Sequence, residues 1–72
     1  MQILLNNIDF IKKLAVLADE SRLHVLVSDG KITAEATDIL EMMRLDLMHP
    51  VSLTYDGTDS RLEEFISLRG VA

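Results

Sequence analysis

The tightest limit on this chain is that its 72 residues include no cysteine. Ordering a chain costs on the order of 1.5 kcal/mol of conformational entropy per residue, so a chain this short must bring nearly every apolar side chain into one core. No disulfide can share that task, and no thiolate zinc site can substitute for it. A second core is excluded at this length, so residues 1–72 read as a single domain. With 49% hydrophobic and 26% charged residues the chain is globular rather than disordered. Its net charge of −5 lacks the basic footprint that nucleic acid or an anionic membrane surface requires, so neither is an expected partner. The start, Met1 to Leu5, is apolar but is broken by Asn6, Asn7 and Asp9, which does not make a secretory signal. A cytoplasmic location is therefore expected.

Hydrophobic periodicity divides the chain into seven segments. Met1 to Leu5 reads as a short strand. Asn6 or Asn7 then suits a helix N-cap, and Asp9 suits the positive end of the helix dipole. Ile8, Ile11, Leu14, Ala15 and Ala18 fall at helical spacing, with Phe10 and Leu17 widening the stripe, so a helix is expected over Ile8 to Ala18. Val16 does not fit its polar side. Leu23, Val25 and Val27 alternate with polar neighbours as a half-buried strand, which Leu26 violates. Asp29-Gly30 is a tight-hairpin signal, and Lys31 to Ala34 returns as a strand with Ile32 and Ala34 inward.

Glu35 to Asp46 is a second helical segment, capped by Thr37 or Asp38, with Ile39, Leu40, Met43 and Leu47 on its apolar side. Val51, Leu53 and Tyr55 alternate as a fourth strand, and Asp56-Gly57 turns the chain. Ser60 followed by Glu63 matches a capping box for a last helix lined by Leu62, Phe65, Ile66 and Arg69, which Gly70 can end. The order strand, helix, strand, strand, helix, strand, helix makes an α+β fold, either ferredoxin-like or an open-faced two-layer sandwich.

The residues from Val27 onward favour the second. Val27-Ser28-Asp29-Gly30-Lys31, then Ala34 to Leu45 with Ile39-Leu40, Met43 and Leu45, resembles the central segment of the phosphocarrier protein HPr family of the sugar phosphotransferase system. Val51 to Gly57 is similar to that family's fourth strand, and Leu62 to Leu68 to the start of its last helix. The match covers most of the chain and needs one extra residue between Gly30 and Ala36. The resemblance implies an HPr-like bacterial domain: a four-stranded antiparallel sheet of order 1-4-2-3, with three helices on one face.

This chain departs from the family at both of its chemical positions. HPr carries its phosphoryl group on a histidine at the start of the first helix, closely followed by an arginine. Here that stretch holds Asn6, Asn7 and Asp9, without histidine or arginine. An amide nitrogen is not a nucleophile, because its lone pair is delocalised into the carbonyl, so enzymatic phosphoryl transfer is not expected. The family's regulatory serine corresponds to Asp38, which reads either as a carboxylate favoured at a helix N-terminus or as a fixed mimic of phosphoserine. The resemblance also implies partner docking through the short second helix, at Ile39, Met42 and Met43, with Leu40 and Leu45 as core.

The expected function is a non-phosphorylatable regulatory or protein-binding module with a protein partner and no cofactor. The alternatives are a phosphocarrier using an atypical acceptor, His24 or His49, and a ferredoxin-like small-ligand domain. The two histidines are not at metal-ligand spacing, so no metal site is expected. Lys12 and Lys13 could flank an anion near the start of the first helix, but a solvated helix face is the expected role. Neither a serine-nucleophile motif nor a glycine-rich phosphate loop is present.

Overall fold

A computed structural model describes residues 2–70. The elements run β1 (Gln2–Ile3), α1 (Ile8–Ser21), β2 (Val25–Ser28), β3 (Thr33–Glu35), α2 (Ile39–Met42), β4 (Val51–Tyr55) and α3 (Ser60–Arg69). All strand pairs are antiparallel, and the sheet order is β1-β4-β2-β3. This order excludes the ferredoxin-like alternative, whose sheet runs 4-1-3-2.

Alternation along the strands makes the sheet two-faced. Ile3, Val25, Val27, Ala34, Val51 and Leu53 point into one core with Ile11, Leu14, Ala15 and Ala18 of α1 and Leu62, Phe65 and Ile66 of α3. Each fully buried large side chain, such as Leu14, contributes about 1.5–3 kcal/mol. Leu26 breaks the alternation because it stands on the opposite face, in register with Thr54 and Glu35, where it is half-buried. Val16 lies on the solvent side of α1 and is 55% exposed, which accounts for its poor fit to the apolar stripe.

Several boundaries differ from expectation. Met1 lies outside the described residues, and β1 is only two residues long. Helix α1 runs three residues past Ala18, to Ser21, before Arg22 takes a left-handed conformation (φ 61°) and donates its N–H to the Asp19 carbonyl. Asp29-Gly30 does not form a two-residue turn. Ser28 pairs with Thr33, so residues 29–32 make a four-residue loop with Gly30 at φ 97°. The longer loop moves β3 toward Glu35, and Ile32 is exposed rather than inward. For α3 the cap is Asp59, not Ser60: its side chain accepts from the N–H groups of Arg61 and Leu62. Gly70 ends α3 in an extended conformation and bridges to Ile3.

The second helix departs most from expectation. Only Ile39–Met42 is α-helical, and the turns after it close with i to i+3 hydrogen bonds, Arg44 to Glu41 and Leu45 to Met42. Tight turns of about three residues eclipse positions i and i+3. Ile39, Met42 and Leu45 therefore share the core side, while Leu40 and Met43 share the solvent side. Leu40, expected in the core, is 81% exposed, and Met42, expected on the docking surface, is fully buried.

Candidate functional site

Helix α1 begins at Asn7, whose side-chain oxygen accepts the Asp9 N–H at 2.8 Å. The Asn7 carbonyl accepts from Phe10 and Ile11 in the first turn. Asn7 is therefore committed to capping, and Asp9 adds an exposed carboxylate at the favourable end of the dipole. Asn6 is exposed beside it. The start of α1 thus holds a helix cap.

Asn6 and Asn7 also form one rim of an apolar cleft of about 250 Å³ between the start of α1 and the segment after α2. Ile8 and Ile11 line it from α1, and Met43, Leu47 and Met48 from the opposite side. Ile8 is 44% exposed, Met43 51% and Met48 86%, so apolar surface lies open at the mouth. Three of the expected site residues therefore meet here: Asn6, Asn7 and Met43. Met42 does not, because it is core, and Ile39 is half-buried against that core. Ile8, Leu47 and Met48 were not foreseen as site residues. Met48, an unbranched apolar residue between Asp46 and His49 and out of phase with any helix, is the local signal for it.

Asp38 caps α2, and its side chain accepts the Glu41 N–H at 3.1 Å. Its capping role follows from this geometry and calls for no phosphate mimicry. The wall of the cleft after α2 is held from elsewhere. Asp29 Oδ1 accepts the N–H groups of Lys31 and Ile32, each at 2.8 Å, and Oδ2 accepts the Asp46 N–H at 2.9 Å. The Asp46 N–H, reinforced by those of Ile32 and Lys31, lowers the Asp29 carboxyl from its ordinary 3.8 to about 2.

The histidines lie apart from the cleft. His24 is exposed with Nε2 3.5 Å from Glu35 Oε1, and its backbone N–H donates to Asp56. His49 is exposed in the loop before β4. Among the described residues no group of three or more His, Asp or Glu side chains could hold a metal ion, and no helix is long and apolar enough to cross a membrane. Comparison with protein-family models, with curated proteins and with solved structures found no match to this chain.

Proposed function

We propose that this chain is a protein-docking module on an HPr-like scaffold that lacks phosphocarrier chemistry. The observation that carries the reading is the exposed apolar cleft, where Ile8, Met43 and Met48 stand open beside the α1 N-terminus. Apolar surface exposed at a concave site favours a macromolecular partner, and methionine adapts its shape to one. The commitment of Asn7 to capping supports the absence of a phosphoryl acceptor there. The partner is a protein, which in this reading belongs to the phosphotransferase system or its regulation in a bacterial cytoplasm.

Two measurements test the reading. Met43→Asp places a charge in the cleft and is expected to abolish capture of the partner; unchanged capture rejects the cleft as the docking site. Incubation with the phosphoenolpyruvate-dependent first enzyme and labelled phosphate is expected to leave the chain unlabelled. Stable, acid-labile incorporation rejects the loss of chemistry, and repeating it with His24→Ala and His49→Ala identifies the acceptor.

A further inference from the structure

A second groove, on a different side of α1, carries an independent inference. Phe10, Lys13, Leu17 and Glu20 recur every three or four residues on α1, and Arg61, Glu64, Phe65, Leu68 and Arg69 do so on α3. Each set therefore lies on one helix face. The Arg69 guanidinium stacks 3.9 Å from the centroid of Phe10 at one end, and Arg61 pairs with Glu20 at 3.2 Å at the other. The helices consequently run antiparallel, and the groove between them has a volume of about 370 Å³, within the ~300–1,000 Å³ range of small-molecule sites.

The charges in this groove run against those of the whole molecule. The chain is acidic, yet three of its seven Lys and Arg residues, Lys13, Arg61 and Arg69, line this one groove. Glu20 engages Arg61, whereas Lys13 and Arg69 have no carboxylate within ion-pair distance among the described residues. Arg69 lies over two rings, Phe10 and Phe65, the latter at 4.2 Å, so its charge is positioned without being neutralised. Its Nε is buried and has no hydrogen-bond partner among the described residues. Leu17, Phe65 and the 73% exposed Leu68 supply apolar walls next to these cations.

We infer that the α1–α3 groove binds a small organic oxyanion, a phosphate or carboxylate group on an apolar body, with Arg69 and Lys13 as its cationic anchors. The apolar body lies against Leu17, Phe65 and Leu68, and the oxyanion pairs with the charges of Arg69 and Lys13. Glu64, also on the groove, opposes the ligand charge and limits its affinity.

The test is an NMR titration of the full chain with phenyl phosphate, with benzoate and with inorganic phosphate, following the Arg69 Nε–H resonance. Phenyl phosphate or benzoate is expected to shift it saturably with a Kd of order ~1 mM, and the stronger of the two identifies the headgroup. Inorganic phosphate, without the apolar body, is expected to bind about ten-fold more weakly. Because Arg69 is packed against two rings and its replacement can unfold α3, the diagnostic variant is Lys13→Glu, at an exposed position. It is expected to weaken binding about ten-fold with an unchanged melting temperature, and Glu64→Gln is expected to tighten binding. An Arg69 signal unmoved by both organic probes, a shift that sodium chloride reproduces at equal ionic strength, or equal binding by Lys13→Glu overturns the site.

Discussion

The Asp29 carboxylate accepts the backbone N–H of Asp46, seventeen residues further along, at 2.9 Å. One side chain thus joins the β2–β3 loop to the segment that walls the apolar cleft, while its other oxygen organises its own loop. Both oxygens act as acceptors, and a carboxyl offers two full acceptor oxygens only in its ionised form, because protonation turns one of them into a donor.

Because folding lowers the Asp29 pKa to about 2, its stabilising effect is complete above the ordinary value of 3.8 and is lost as pH falls through about 2. Urea unfolding between pH 7 and pH 2 is expected to show stability falling across that window. Asp29→Ala is expected to be less stable at pH 7 and to converge on the parent at the acid end. A difference that persists undiminished at pH 2 would mean that the carboxylate charge is not the source.

Met42 and Met43 are adjacent but face opposite ways, one fully buried and one 51% exposed. Met42→Ala is expected to cost about 2–5 kcal/mol, the range for a large side chain removed from a core. Met43→Ala is expected to change stability by no more than about 0.5 kcal/mol while weakening docking. Denaturant midpoints of the two variants check the phase of α2, and a reversed ranking would refute it.

The start of α3 offers a similar contrast. Asp59 holds two first-turn N–H groups, whereas Ser60 is already inside the helix and exposed. Asp59→Ala is expected to cost ~1 kcal/mol, the usual loss for a cap, and Ser60→Ala less than ~0.5 kcal/mol. Thermal unfolding of both variants distinguishes this cap from the Ser60–Glu63 capping box that the sequence suggested.

How far the sequence could be read depended on the length of each element. The fourteen residues of α1 give helical periodicity room to define a face, and Ile11, Leu14, Ala15 and Ala18 are buried as their spacing requires. The burial of Val25, Val27 and Leu53, with Val27 opposite Leu53 and Val25 opposite Tyr55, follows from strand alternation in the same way. The four residues of α2 are too few for a 3.6-residue repeat to select a side, and so Leu40 and Met42 were misassigned. Their phase is set by the Asp38 cap and the tight turns that follow, both of which depend on where β3 delivers the chain.

Composition and local pattern were therefore sufficient for one cysteine-free α+β core, the succession of its elements and the capping asparagine at the start of α1. The relationships that make the two candidate sites were not legible there: Ile8 opposite Met43, Asp29 bonded to Asp46, and Arg69 stacked on Phe10. Each joins segments far apart in the chain. Local periodicity specifies which face of an element is apolar; which faces meet is settled by the packing of the whole sheet and its helices, where the free energy of burial is shared among all of them.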